Sequence, residues 1–294
     1  MLSLRLQDLS LPDAQNYLQH AIGPRPICFA STIDKAGNVN LSPFSFFNLF
    51  STNPAIVVFS PSRRLRDNTT KHSLQNILEV PEVVVNIVTY DILQQTSLSS
   101  CEYPKETDEF LKTGLHKEPS ILITPPRVKE SPVQLECKVL EVKQLGTGGG
   151  AGNLVIAEVL MMHISPQLLN EHGYIDQRKL DLVARLGGNW YTRANASTIF
   201  EVEKPNTMCG IGVDMLPGNV RSSTILTGNN LGQLANVYEM PLIDPRFEDE
   251  RMKNIFEYYA INPIELQEEI HRYAKELLDC GKVNEAWQIL LSID

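Results

Sequence analysis

The chain has 294 residues, 43% hydrophobic content and a formal net charge of −9 at pH 7, a composition ordinary for a globular protein of one large domain or one and a half. The acidic balance disfavours non-specific nucleic-acid binding, which depends on Lys and Arg contacts to phosphate. The N-terminal MLSLRLQDLSLPDAQNYLQH lacks a basic run followed by an apolar one, and no segment approaches about eighteen uncharged apolar residues; neither a signal peptide nor a membrane span is expected, and a cytoplasmic location is the default.

From Gly23 to Asn86 the chain is most informative. Ile27 to Ser31 is an apolar strand, Asp34 to Gly37 a Gly-containing turn, and Val39 and Leu41 begin the return, as in a β-hairpin. Ala55 to Ser60, AIVVFS, is a short continuous apolar run that suits a strand buried on both faces. The loop PSRRLRDNTTKHSLQNI then sets Arg63, Arg64, Arg66 and Lys71 against a single acid, Asp67. Leu74, Ile77 and Leu78 keep helical spacing behind it. Thr69 or Thr70 is the expected N-cap, which puts Lys71, His72 and Ser73 in the first turn. Free N–H groups and the positive end of the helix dipole stabilise a dianionic phosphate there. From these residues alone, a solvated charge run capping an ordinary helix remains an equal alternative.

Five cysteines, Cys28, Cys101, Cys137, Cys209 and Cys280, are scattered without paired spacing, which argues against a disulfide framework and against a zinc or other metal site. Cys28 and Cys137 lie within apolar strand patterns and are expected in the core. The sequons at Asn68 and Asn195 match a three-residue pattern that arises by chance.

Val133 to Leu145 and Leu154 to Ile164 are two long strands flanking LGTGGGAGN. A dinucleotide fingerprint needs a strand-to-helix turn, whereas these glycines are followed by a strand, so a flexible hairpin tip is expected. The strand LVIAEVLMMHI is apolar at nearly every position and requires cover on both faces. His163 within it is expected to be a hydrogen-bonded core or interface residue. His116 and His172 lie in polar loops, with no triad or metal set nearby. In RLGGNWYTR, paired glycines allow close backbone approach beside Trp190 and Tyr191.

Asn206 to Pro241 is rich in Gly, Asn and Pro and reads as a loop-rich cover. From Asp244 onward the chain reads as helical. Asn262 is an N-cap with Pro263 behind it, Leu266, Ile270, Tyr273, Leu277 and Leu278 form an apolar stripe, and Gly281 ends the helix. A final helix, Asn284 to Ser292, puts Ala286, Trp287, Leu290 and Leu291 on one face. The pair is similar to a tetratricopeptide-type hairpin, but there is about one unit where about three are needed for a self-sufficient core, so packing onto the first domain or a dimer mate is expected.

Four segments, in this order and spacing, carry a resemblance that extends from about Ala21 to Glu203: PRPICFAST (Pro24 to Thr32), NVNLSPFSFFN (Asn38 to Asn48), KHSLQNI (Lys71 to Ile77) and RLGGNWY (Arg185 to Tyr191). The chain resembles the flavin reductase-like family, and PEVVVNIVTYDILQQTS, YPKETDEFLKTGL and SPVQLECKVLEV agree with it. The resemblance implies a mainly β fold with α, an FMN-binding split β-barrel of Greek-key-like connection over residues 1–205, with a helical C-terminal extension over 206–294. It places Ser45, Phe46, Phe47 and Asn48 at the flavin ring and Lys71, Ser73 and Asn76 at its phosphate, and Ser60 and Arg63 join the cofactor set. Two positions depart from the family pattern: His72 stands where Asp is usual, and Ser73 replaces Thr while keeping a hydroxyl. Arg185 faces the cofactor or the phosphates of a nicotinamide dinucleotide, or else forms a structural ion pair.

The resemblance further implies a homodimer with flavin at or near the subunit interface. Its chemistry is hydride transfer from NAD(P)H, a transient co-substrate, to FMN, for a second acceptor that is a small molecule or a protein. No general base is required, in keeping with the lack of an acid–base constellation. Three alternatives stay open: an FMN-dependent oxidase or reductase of an organic substrate, a non-catalytic electron carrier, and an interaction protein using its helical tail.

Overall fold

The computed structural model describes residues 1–202, 204–205 and 209–293. The chain forms two compact units, Met1–Phe200 and Glu201–Asp294, against an expected boundary after residue 205.

In the first unit, Ser10 opens helix α1 (Leu11–Ala21) by accepting the Asp13 N–H at 3.2 Å. Strands β1 (Cys28–Ile33) and β2 (Val39–Phe44) form the expected hairpin, with Asp34 Oδ1 accepting the N–H groups of Ala36 and Asn38. Strands β3 (Phe47–Thr52) and β4 (Ala55–Phe59) make a second hairpin. Helix α2 (His72–Glu79) leads to β5 (Glu82–Ile87), followed by α3 (Leu93–Leu98) and α4 (Glu109–Thr113). The short pair β6 (Lys117–Glu118) and β7 (Arg127–Val128) precedes the long hairpin β8 (Val133–Gln144) and β9 (Asn153–Ile164), and β10 (Leu182–Arg185) pairs with β11 (Tyr191–Ala194).

Seven strands form one antiparallel sheet in the order β2-β1-β5-β8-β9-β4-β3, as a split barrel requires. The two-residue repeat of a strand sends alternate side chains to opposite faces. Cys28 and Ala30 of β1 therefore join one core with Phe59, Val83, Val85, Cys137 and Val155, while Phe29 enters another with Leu41, Phe110 and Val128. Burying a side chain such as Phe29 contributes roughly 1.5–3 kcal/mol. The two central cysteines are core residues as expected, and burial pushes the Cys137 thiol up to about 12.

Several expectations need correction. In β4 only Val57 and Phe59 are buried, while Ile56 and Val58 stay half-covered, so the strand is not enclosed on both faces. In β9 the buried side chains are Asn153, Val155 and Ala157, and the far half leaves Leu160 42% and Met162 52% exposed. Among the described residues its second face is covered in part, with Leu154 and Ile156 half-buried and Leu160 and Met162 exposed. Lys71, not Thr69 or Thr70, is the N-cap of α2, and it makes no side-chain capping bond. The threonines are drawn elsewhere: Thr69 donates to Asp67, and Thr70 Oγ1 accepts from Gln75.

The second unit contains helices where loops were expected, α5 (Gly218–Arg221) and α6 (Gly228–Ala235), the latter opened by a capping box between Thr227 and Asn230. The start of that segment, Asn206–Met208, lies outside the described residues. Then come α7 (Glu250–Tyr258), α8 (Pro263–Asp279), capped by Asn262 as its sequence dictates, and α9 (Val283–Leu291). The stripe of α8 is buried within this unit: Ile270, Tyr273, Ala274 and Leu278 pack with Leu234, Trp287 and Leu290. The helices thus have a core of their own, unlike the single dependent hairpin expected. No helix among the described residues is long and apolar enough to cross a membrane.

Candidate functional site

Two adjoining cavities, of about 210 and 780 Å³, share Gln15, Gln19, Phe46, Ser62 and Lys71 in their walls. The smaller one is rich in hydroxyls. The end of β2 supplies Ser42, Pro43 and Phe44, the chain runs on through Ser45 and Phe46, and Ser60, Ser62 and Ser100 complete the wall. A backbone bond from Ser60 N–H to the Phe46 carbonyl at 2.8 Å fixes the two segments together. The larger cavity adds apolar surface from Leu11, Leu18 and Leu65, and backbone from Gly148, Gly149 and Gly150.

The glycine-rich tip between β8 and β9 is a wall of this site. Arg63 N–H bonds the Ala151 carbonyl at 2.9 Å, Gly150 N–H bonds the Arg63 carbonyl at 3.0 Å, and Asn68 Nδ2 reaches the Thr147 carbonyl at 3.0 Å. A Cβ on Gly149 would stand 3.1 Å from the Leu65 carbonyl oxygen, so close approach of two backbones is the reason for glycine there. The expected flexible tip is instead zipped along the basic loop.

Most cations of that loop are already paired. Arg63 donates to the Asn68 side chain and carbonyl, Arg64 to Glu102, Thr69 and the Thr70 carbonyl, and Arg66 to Glu102 and Asp67. The Thr69 hydroxyl and amide hold the Asp67 carboxyl down at about 2. Lys71 differs. It is half-buried, its pKa is lowered first by burial and then by the nearby Arg64 charge, and its ammonium has no hydrogen bond or ion pair among the described residues. Burial and then Arg64 also lower the pKa of His72, which is absent from both cavity walls.

The structure distributes the sequence-derived residues unevenly. Ser45, Phe46, Ser60, Arg63 and Lys71 come together around the cavities. Phe47 packs on the barrel core, and Asn48 Oδ1 accepts the Leu49 N–H at 2.8 Å within β3. Ser73 and Asn76 turn inward: the Ser73 hydroxyl donates to Asn40 Oδ1 at 2.5 Å, and Asn76 Nδ2 donates to Thr32 Oγ1 at 3.3 Å. Asn40 Nδ2 in turn donates to Glu109 at 2.7 Å, and burial raises the pKa of that carboxyl. Arg185 lies with its guanidinium 4.6 Å from the Tyr191 ring centroid and bonds the Tyr191 hydroxyl and the Gly188 carbonyl, away from both cavities.

The RLGGNWY segment is linked to the site through α1. Buried Arg25 donates to the carbonyls of Gln19 and Ile22 at the end of α1 and to Leu186; α1 then offers Leu11, Ala14, Gln15, Leu18 and Gln19 to the larger cavity. Those positions share one helical face. The reading of the sequence missed this helix, although Ser10 and Pro12 signal its start. It also missed Ser62, Ser100 and Glu102.

A phosphate-bearing flavin fits this set of donors. The unpaired Lys71 ammonium offers a charge to a phosphate, the seryl hydroxyls suit a polyol, and Phe46, Leu18 and Leu65 offer apolar surface to a ring system.

Comparisons with known proteins identify the family. Residues 22–182 match the model of the flavin reductase like domain. An uncharacterized protein of Halalkalibacterium halodurans is 35% identical over 206 residues, 69% of this chain and 97% of its own length. The crystal structure of nitrilotriacetate monooxygenase component B from Bacillus cereus superposes with a TM-score of 0.64 at 27% identity, covering 69% of this chain and 98% of its own. The FMN-binding protein from Thermus thermophilus with bound 1-cyclohex-2-enone shares the fold, with a TM-score of 0.53 at 18% identity over 68% of this chain and 100% of its own. Since the matched family segment spans more than half of its residues, the chain belongs to the flavin reductase-like family.

Proposed function

We propose that the protein binds FMN and acts as an NAD(P)H-dependent oxidoreductase that passes electrons to a second acceptor, a small molecule or a protein. The carrying observation is Lys71, a half-buried ammonium without a hydrogen bond or ion pair among the described residues, set in a cavity wall beside hydroxyl groups. Leaving a charge partly desolvated and unpaired costs stability, and a phosphate offsets that cost. Bound FMN supplies hydride acceptance and onward electron transfer.

Within this reading the chain's own residues bind and orient. Lys71 holds the phosphate, with the N–H groups at the start of α2 adding to the field. Ser45, Ser60 and Ser62 would hydrogen-bond the polar parts of the cofactor, and Phe46 would offer apolar surface to its ring. The α1 face and Leu65 exclude water from the apolar side. Family membership supports the flavin part of the proposal, and the nicotinamide part rests on the same resemblance.

A homodimer is part of the proposal, because among the described residues the far half of β9 leaves the apolar Leu160 and Met162 exposed. So is a cytoplasmic location. The visible spectrum of the purified protein tests cofactor binding through flavin bands released as FMN on denaturation. Anaerobic stopped-flow tests the reductase activity: bleaching of the bound flavin by NADH or NADPH supports it, and bleaching by dithionite alone rejects it in favour of an electron carrier.

A further inference from the structure

We propose that Glu109 is the positioning residue that fixes the phosphate end of the site, acting through Asn40 and Ser73. The proposal rests on the FMN reading above. Glu109 opens α4 directly after its N-cap, Asp108, and is 3% exposed. Its two carboxylate oxygens are divided: Oε1 accepts from Asn40 Nδ2 at 2.7 Å, and Oε2 accepts the Leu41 N–H at 3.1 Å. Asn40 Oδ1 then accepts the Ser73 hydroxyl at 2.5 Å.

Each end of this chain of bonds leads to the cofactor cavities. From Leu41, β2 runs straight into Ser42, Pro43 and Phe44 of the smaller cavity wall. Ser73 lies in the first turn of α2, two residues after Lys71. One buried carboxylate is thus bonded to the strand that becomes the ring-side wall and, through a single amide, to the turn that carries the unpaired cation. Burying a carboxylate is unfavourable, and no cation bonds this one among the described residues. Asn40 is itself a residue of β2, so its bond to Ser73 joins β2 to α2, and the function of Glu109 is to hold the Asn40 amide in the orientation that makes that bond.

The geometry distinguishes two substitutions. In Glu109→Ala both Asn40 and Leu41 lose their acceptor. In Glu109→Gln the new amide donates to Asn40 once the Asn40 side chain turns over, Asn40 Nδ2 then donates to Ser73 Oγ, and the Gln oxygen still accepts from Leu41. Every link is kept while the negative charge is lost.

The test measures Kd for FMN and for riboflavin, and amide hydrogen exchange, in the full-length protein. In Glu109→Ala the FMN-over-riboflavin preference is expected to fall by about tenfold, the loss of one charge-assisted bond. Exchange should quicken at Lys71 to Leu74. Glu109→Gln should keep the wild-type preference within about twofold. Should Glu109→Ala fail to fold, Asn40→Ala breaks the same chain and carries the same expectation.

A folded Glu109→Ala protein with an unchanged preference would overturn the proposal, since a purely structural role lowers stability without separating the two flavins. A rise in preference in Glu109→Gln would overturn it as well, by showing that the charge acts through space. The wild-type preference separately judges the phosphate reading: equal affinity for both flavins rejects that reading, and the positioning role falls with it.

Discussion

The side-chain amide of Asn153 donates to the Pro61 carbonyl at 2.9 Å, joining the foot of the glycine-rich hairpin to the first residue of the basic loop. Asn153 is 1% exposed, and it begins the zip that continues through Ala151, Gly150 and Thr147. The loop that carries Lys71 therefore rests on β9. Its position is set by backbone bonds and by the Asn68 and Asn153 side chains, which join two segments far apart in sequence.

Because of this zip, Gly149→Ala should damage the site from outside it. The added methyl meets backbone oxygens of Arg64 and Leu65 at 3.2 and 3.1 Å, which cannot move aside as a side chain can. Overpacking of this kind costs about 1–3 kcal/mol. A lowered melting temperature together with weaker FMN binding is the expected result; binding unchanged at an unchanged melting temperature would show that the loops separate freely.

Lys71→Ala should weaken FMN by about tenfold or more while leaving riboflavin nearly untouched, because the lost bond is charge-assisted and addresses phosphate alone. Fluorescence titration with both flavins measures it. An equal loss for both would assign Lys71 to the shape of the loop instead.

FMN affinity should also depend on alkaline pH. In the free protein burial and Arg64 lower the Lys71 pKa below its ordinary 10.5, whereas a bound phosphate raises it. Binding is then at full strength below the free-state pKa. As pH rises between the free and bound values it weakens, by at most about tenfold per unit for a single proton. Lys71→Gln should abolish that slope.

Sedimentation should report twice the chain mass, with Met162→Lys shifting the protein toward monomer by charging the uncovered end of β9. A monomeric wild type at micromolar concentration would remove the dimer from the proposal.

Residues 1–200 should fold without the remainder, since the cores of the two units draw on separate residues. A cut near Pro241, by contrast, would strip Leu234 and Val220 from Trp287 and Ile270. Calorimetry of the chain ending at Phe200 should show a cooperative transition. Its absence would mean that the sheet depends on the second unit.

What could be read in the sequence was local. The β1–β2 hairpin follows from Asp34, Gly37 and strand alternation, and α8 from Asn262 and Pro263, because each signal sits beside the structure it specifies. Side-chain direction was not readable. Ser73 and Asn76 occupy the positions that the resemblance assigns, yet the turn of α2 sends both toward β1 and β2. The pairing of Arg64 and Arg66 with Glu102 depends on tertiary folding across more than thirty residues of chain, and no spacing rule announces it. Glycine and asparagine make up half of α5 and of α6, so their composition reads as loop, although Thr227 and Asn230 carry a capping signal.

Glu102 has one more consequence. By bonding both Arg64 and Arg66, it leaves the loop of four cations with far less free charge than its composition suggests. Dissolved ions then have little to screen. Attraction of a phosphate ester should respond to ionic strength as it would to a site of about two net positive charges, those of Arg63 and Lys71, with the glutamate acting as a built-in counterion that keeps the loop from gathering stray polyanions.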